Sequence, residues 1–176
     1  AGLFSSGRQD LLNQRFLAFH LSGGTTELLL ADGIDHISVL CASDDITFGQ
    51  LIDRTGVLLE LPFPCGKALD DIFSADIPLI EKPHFSFHAG NLSLSGFENK
   101  IRSFLEKGIS KDKIVRYLFS VLVSGVTEMV RPFLSDYPDV PLLFTGGVSS
   151  NRYLRRFFGD RKRFLFAEPA FSCDNA

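Results

Sequence analysis

Two glycine pairs carry the clearest chemistry in this sequence, each set directly after an apolar run. Phe16-Leu17-Ala18-Phe19-His20-Leu21 leads into Ser22-Gly23-Gly24-Thr25-Thr26-Glu27, and Val140-Pro141-Leu142-Leu143-Phe144-Thr145 leads into Gly146-Gly147-Val148-Ser149-Ser150-Asn151. Glycine admits positive φ and lets a ligand approach the backbone without meeting a Cβ. Hydroxyl residues beside it are expected to leave backbone N–H groups free to face an anion. A single such pair is an ordinary tight turn. Two in one domain point to a nucleotide or phosphate held between two strand ends. Asp45, Gly49 and Asp53 are spaced i, i+4, i+8, which places them on one face of a helix, with Gly49 leaving room for a ligand on that face.

Other chemistry is excluded by pattern. His84 and His88 have the H-x-x-x-H spacing of a helix-borne metal site. However, Pro83-His84-Phe85-Ser86-Phe87-His88 alternates like a strand, so the pair is rejected as a ligand set. His20 lies inside a strand and is expected to be packed and hydrogen-bonded. Cys41, Cys65 and Cys173 are far apart, which argues against a zinc ribbon or a disulfide framework and fits a reducing compartment. No nucleophile–base–acid constellation is legible.

The elements that must hold these residues read as follows. Strands are expected over 16–22, 26–31 and 36–41, with Asp32-Gly33 as a hairpin signal. A helix is expected from Asp45 to about Glu60, stopped by Leu61-Pro62-Phe63-Pro64. A short helix over 68–73 and a strand pair near 84–88 and 92–94 follow. Ser95-Gly96-Phe97-Glu98 has the pattern of a capping box before a helix that ends near Gly108. Ser110 is expected to cap a long helix to about Leu134, followed by a strand over 142–145, a helix over 151–158 and a strand over 163–167. With 61–109 set aside as an insertion, the order is β-β-β-α-α-β-α-β. That is the order of one ribonuclease-H-like α/β lobe, the unit used twice in the actin-, hexokinase- and Hsp70-type ATPase (ASKHA) fold.

Composition agrees with a folded domain. The chain has 176 residues, 45% of them hydrophobic, with 18 Phe and no Trp, enough to bury a core. A net charge of −3 makes bulk attraction to nucleic acid weak, so RNA contact would need a local patch. Arg152, Arg155, Arg156, Arg161, Lys162 and Arg163 form the densest basic run, and a solvated helix face is its simplest reading. No apolar run is expected to reach membrane-spanning length, and the N-terminus has no secretory pattern, so a cytoplasmic location without membrane contact is expected.

At the level of motifs, the sequence resembles the TsaD family, whose members complete the threonylcarbamoylation of adenosine 37 in tRNAs that read codons beginning with A. Leu21-Ser22-Gly23-Gly24-Thr25-Thr26-Glu27-Leu28 is similar to the family's phosphate loop. Asp45 to Arg54 is similar to its D-I-x-x-G-x-x-x-D-[KR] helix, and Leu61-Pro62-Phe63-Pro64-Cys65-Gly66 to its LPYPGG turn. Leu94-Ser95-Gly96, Thr145 to Arg152 and Cys173-Asp174-Asn175-Ala176 match three further motifs in the same order.

The resemblance implies an enzyme that moves a threonylcarbamoyl group from its adenylate to the N6 amine of the base. It implies that Leu21, Ser22, Gly23 and Gly24 supply backbone amides to the acyl-phosphate end, and that Asp53 binds a ribose hydroxyl. Gly66 would admit the sugar and base with Asp70 as a second polar contact, and Gly146, Gly147 and Asn151 would hold the adenosine. Asp174 would bind a divalent metal, Fe2+ or Zn2+. An adenine nucleotide, ATP or threonylcarbamoyl-AMP, is the implied ligand; tRNA and an ASKHA-type protein partner or a second copy are the implied partners.

Several positions depart from the family pattern. Thr25 replaces a loop histidine, Gln50 a frequent acidic residue and Cys65 a glycine, and Glu98 stands where lysine is common. The family's H-x-x-x-H metal pair is expected upstream of Ala1, so residues 1–176 read as a single lobe, the C-terminal one of two. The altered acyl-transfer end raises a second reading, a non-catalytic nucleotide-binding paralogue that scaffolds or regulates such an enzyme. A sugar- or acetate-kinase-like member of the same fold is a third.

Overall fold

The computed structural model describes residues 7–33, 35–160 and 162–168. Strands β1 (Arg15–Leu21), β2 (Thr26–Asp32) and β3 (Ile37–Ala42) form an antiparallel meander, close to the expected bounds. The β2–β3 connection is wider than a two-residue hairpin: Gly33 takes φ 72° and the Asp32 N–H donates to the His36 carbonyl. Helices α1 (Phe48–Leu58) and α2 (Gly66–Ile72) follow, then a two-stranded ribbon of β4 (Ser86–His88) and β5 (Asn91–Ser93). Helices α3 (Ser95–Glu106) and α4 (Lys111–Asp136), strand β6 (Leu142–Thr145), helix α5 (Arg152–Phe158) and strand β7 (Phe164–Phe166) complete the order.

The five-stranded sheet has the order β3-β2-β1-β6-β7, with β1, β6 and β7 parallel. Leu17, Phe19 and Leu21 of β1 face the larger core, together with Leu28, Leu142, Phe144 and the buried side of α4. Phe16, Ala18, Ala31 and Leu143 point the other way and pack with Leu11. This division is the period-two alternation of a strand. Phe144 lies at the centre of the larger core, with ring centroids 5.4 Å from Phe19 and 4.5 Å from Phe166.

Helix α4 is buried along most of its length, from Ile114 to Val130. Contrary to the sequence expectation, it is long and apolar enough to cross a bilayer, but its apolarity is accounted for by burial against the sheet and the neighbouring helices. It also continues past Pro132 to Asp136, since a proline near a helix end removes one hydrogen bond and leaves the final turn intact. Ser110 occupies its N-cap position without a side-chain capping bond.

Two local expectations are corrected. Helix α1 starts at Phe48, not Asp45, under a capping box in which Thr47 Oγ1 accepts from the Gln50 N–H at 3.0 Å and Gln50 Oε1 accepts from the Thr47 N–H at 3.2 Å. No capping box forms at Ser95 and Glu98: Leu94 is the N-cap residue of α3, and Glu98 pairs with Arg54 and Arg102 at 2.7 and 2.8 Å. Asp45 takes over the end of α3 instead. Its carboxylate accepts from the Leu94 and Ser95 N–H groups at 2.8 and 2.9 Å and from Ser93 Oγ at 2.8 Å. The local sequence pattern is outcompeted by an acceptor brought from a distant loop.

Desolvation would raise the Asp45 pKa, but the hydrogen bonds from Ser95, Leu94 and Ile46 outweigh it and hold the carboxyl below the usual carboxylate range. A carboxyl that binds its proton more weakly when folded stabilises the fold at neutral pH, and the benefit is lost as pH falls through the ordinary carboxylate range toward the folded value. Asp45→Asn is therefore expected to be less stable than wild type at pH 7, by about 1 kcal/mol given the solvent exposure of the side chain. The gap should narrow in urea melts between about pH 5 and pH 3. A gap independent of pH would show that Asp45 acts through something other than its charge.

Candidate functional site

Parallel pairing of β1 with β6, in the register Leu17↔Leu142 to His20↔Thr145, brings the two strand ends side by side. Both glycine-pair turns therefore leave the sheet at one place, where open α/β sheets bind ligands. The turns touch directly. Gly146 has φ 87°, and a Cβ there would fall 2.3 Å from the Leu21 carbonyl oxygen. Thr145 Oγ1 donates to the Phe19 carbonyl at 2.9 Å and is 3.3 Å from His20 Nδ1, the packed, hydrogen-bonded setting expected for His20.

A cavity of about 700 Å³ opens beside these turns. Ser22 and Gly23 line it from the first turn, and Gly49, Ile52 and Asp53 from α1. Gly66, Lys67, Asp70 and Asp71 line it from α2, and Gly147, Val148, Ser150, Asn151 and Arg152 from the second turn and the start of α5. Of the ten nucleotide-site residues named from the sequence, Ser22, Gly23, Asp53, Gly66, Asp70, Gly147 and Asn151 meet at this one cavity. Leu21 is fully buried beneath it, and Gly24 and Gly146 lie outside the lining. Asp174, the candidate metal ligand, lies outside the described residues. Among the described residues no group of three His, Cys, Asp or Glu could hold a metal ion, and His84 and His88 are exposed on and beside β4.

The first turn differs from a cradle of free amides. Ser22 Oγ accepts from the Thr25 and Gly24 N–H groups at 3.0 and 3.3 Å, and the Ser22 N–H donates to the Thr25 carbonyl at 2.8 Å. Of the amides from Ser22 to Thr25, only that of Gly23 makes no hydrogen bond among the described residues. The hydroxyl that was expected to leave amides open closes the turn on itself. The role of Gly49 is also corrected: a Cβ there would meet the Ser22 carbonyl oxygen at 2.4 Å and Gly23 Cα at 2.6 Å. Gly49 lets α1 approach the turn, and the space it leaves is filled by protein. At Gly66 a Cβ would meet nothing within 4 Å, so the cavity is open there.

The polar groups are held by one another. Asp53 accepts from the Cys65 N–H at 2.9 Å, which fixes the turn before α2 against α1. Asn151 caps α5 by accepting from the Leu154 N–H at 2.9 Å, and its Nδ2 donates to Asp70 at 2.7 Å. Asp70 also accepts from the Arg152 N–H at 3.2 Å, and the Arg152 guanidinium pairs with Asp71. Burial pushes the Asp70 pKa up despite the contacts with Arg152.

Lys67, Asp71 and Arg152 are cavity residues that sequence reasoning missed, although Lys67 and Asp71 share α2 with Gly66 and Asp70. Much of the basic run is used internally. Arg155 donates to the Ser149 carbonyl and lies over the Phe166 ring, and Arg163 donates to the Tyr137 and Pro138 carbonyls.

A nucleotide-sized cavity at the parallel strand ends of such a sheet defines one lobe of the ASKHA fold. Two solved structures share the fold. Full-length HypF in its phosphate- and nucleotide-bound form gives a TM-score of 0.75 at 11% identity, covering 98% of this chain and 33% of that one. The Clostridium difficile activator of 2-hydroxyisocaproyl-CoA dehydratase with bound ADPNP gives 0.52 at 14%, covering 88% and 53%. The family model described as TsaD, tRNA N6-adenosine threonylcarbamoyltransferase, matches residues 3–176, and the chain belongs to that family. Curated members include the Nautilia profundicola enzyme, 27% identical over 169 residues, covering 89% of this chain and 50% of that protein. The Syntrophotalea carbinolica enzyme is 28% identical over 180 residues, covering 92% and 51%. The chain thus spans about half the length of the curated relatives it matches.

Cys65, which stands where the family motif has glycine, is fully buried against Gly56. A Cβ on Gly56 would fall 2.1 Å from Cys65 Cβ and 2.4 Å from its sulfur. Burial, with the nearby Asp53 charge, raises the thiol pKa, so this cysteine is a packing group and not a nucleophile. Gly56→Ala is expected to cost about 1–3 kcal/mol by overpacking. Adding Cys65→Gly should return part of that loss, since it keeps the backbone N–H bond to the Asp53 carboxylate and gives up only the long thiol contacts to the Asp53 and Leu61 carbonyls at 3.5 and 3.9 Å. Denaturant melts of the two single variants and the double variant measure this coupling, and strict additivity would sink the interlock.

Proposed function

We propose that this lobe provides the adenylate-binding wall of a tRNA N6-adenosine threonylcarbamoyltransferase. The observation that carries the reading is the convergence of Ser22, Gly23, Asp53, Gly66, Asp70, Gly147 and Asn151, drawn from four separate segments, on one cavity at the strand ends. In this reading the adenosine lies between α2 and the Gly147–Asn151 turn, where Gly66 leaves the wall open. Asp53, one oxygen of which accepts from Cys65, accepts from a ribose hydroxyl through the other. The Gly23 N–H faces the acyl-phosphate end. The N6 amine of the tRNA base attacks the carbamoyl carbon, the C–O bond to phosphate breaks, AMP leaves and the amine gives up a proton to solvent. The protein's part is to bind and orient the adenylate.

A divalent ion, Fe2+ or Zn2+, would be held in part by Asp174, as the family motif implies; the described residues by themselves make no metal site. The tRNA and a protein partner or second copy complete the proposal. A cytoplasmic location follows from that substrate. The replacements at Thr25, Gln50, Cys65 and Glu98 support a second reading, a non-catalytic nucleotide-binding paralogue that scaffolds or regulates such an enzyme.

Titration of the full-length gene product with a non-hydrolysable ATP analogue tests the shared site. Asp53→Asn keeps an acceptor for the Cys65 N–H but removes the charge, so it is expected to weaken binding about tenfold or more at unchanged Tm. Threonylcarbamoyl transfer to unmodified tRNA then separates the readings: transfer supports the enzyme, and nucleotide binding without transfer supports the paralogue. No nucleotide binding would overturn both.

A further inference from the structure

Five charged side chains line the cavity: the carboxylates of Asp53, Asp70 and Asp71 and the cations of Lys67 and Arg152. Four of them already have partners within the protein. Asp53 accepts from the Cys65 amide, Asp70 from Asn151 and the Arg152 amide, and Asp71 pairs with the Arg152 guanidinium. Lys67 is exposed, lines the cavity and makes no hydrogen bond or ion pair among the described residues. It lines the same cavity as Gly23, whose N–H faces the acyl-phosphate end in the proposed reading. An anion entering a space with three carboxylates is repelled unless a cation meets it, and Arg152 is already committed. A lysine ammonium on a flexible stem is suited to that task as a point charge.

We infer that Lys67 is the contact for an anionic group of the bound ligand, a phosphate or a carboxylate, and sets the preference of the cavity for charged over uncharged adenosine compounds. This deepens the proposed function and rests on the cavity being the adenylate site. Arg152 is the clamp that holds α2 to the start of α5, and Lys67 is the free charge that the clamp leaves over.

Three ligands separate the sources of the anion: adenosine has neither group, AMP has the phosphate, and N6-threonylcarbamoyladenosine has the carboxylate alone. Each is titrated into the full-length wild-type protein, Lys67→Ala and Lys67→Arg at low and physiological salt. Lys67→Ala is expected to lose about tenfold in affinity for AMP or for N6-threonylcarbamoyladenosine, whichever presents the anion that Lys67 meets, with adenosine unchanged. Lys67→Arg should retain most of the affinity, and the salt dependence of the affected ligand should flatten in Lys67→Ala. Equal losses for all three ligands, or no loss for either anionic one, would overturn the inference and leave the site reading standing. If wild type binds none of the three, the site reading falls and the inference with it.

Discussion

The contact on which the rest of the site depends is the approach of Gly146 to the Leu21 carbonyl at the end of the β1–β6 pair. Two parallel strands end together only if their exits can pass each other, and here a single methyl group would fall 2.3 Å from a carbonyl oxygen. Gly49 imposes the same condition on the other side of the first turn, where α1 packs on Ser22 and Gly23. The turn is thus held between a strand exit and a helix, both at glycine. Its interior is filled by the Ser22 hydroxyl, and Thr47 Oγ1 donates to the Gly23 carbonyl at 2.8 Å. The result is a braced floor to the cavity, with the Gly23 and Thr25 carbonyls and the Ser22, Gly24 and Thr25 amides already bonded.

Above that floor, α2 and the start of α5 form the outer wall, and they are joined by polar contacts. Asn151 serves both elements. Its side-chain oxygen caps α5 and its nitrogen reaches Asp70 on α2, while Arg152 adds a backbone bond to Asp70 and an ion pair to Asp71. An amide has two N–H donors, so Asn151 can hold this position and still offer one hydrogen to a ligand. Asp53 is in the same position, with one oxygen taken by the Cys65 amide. Each of these residues is fixed by one contact and available through another, which is how a binding group is kept in place before its ligand arrives.

Much of this was legible in the sequence, for definite reasons. Apolar runs marked β1 and β6, and the glycine pairs after them marked both strand exits. The long apolar helix and the proline-rich stop after α1 were equally clear. What failed did so because the deciding partner lies far away in sequence. The pattern at Ser95 and Glu98 satisfies the local rule for a cap, yet Asp45 supplies the acceptor from 50 residues away. Gly49 read as room for a ligand because nothing local reveals that the space beyond it holds the backbone of Ser22. Arg152 read as a solvated cation because Asp70 and Asp71, which hold it, are over 80 residues upstream.

The substitutions that set this chain apart from the family motifs fall into two physical kinds. Gln50, Cys65 and Glu98 are absorbed by the fold: the amide closes the capping box of α1, the thiol fills the space at Gly56, and the carboxylate bridges Arg54 of α1 to Arg102 of α3. None of the three lines the cavity. Thr25 is different in another way: it takes part in the closure of the first turn on Ser22 only through its N–H and carbonyl, which a histidine would supply equally. Divergence at α1, α2 and α3 is thus compensated by packing, capping and ion pairing. At the first turn the backbone bonds do not depend on which side chain stands at 25. Under the proposed reading, a difference in activity from the relatives is therefore to be sought in the Thr25 side chain itself, and not in the backbone of the turn.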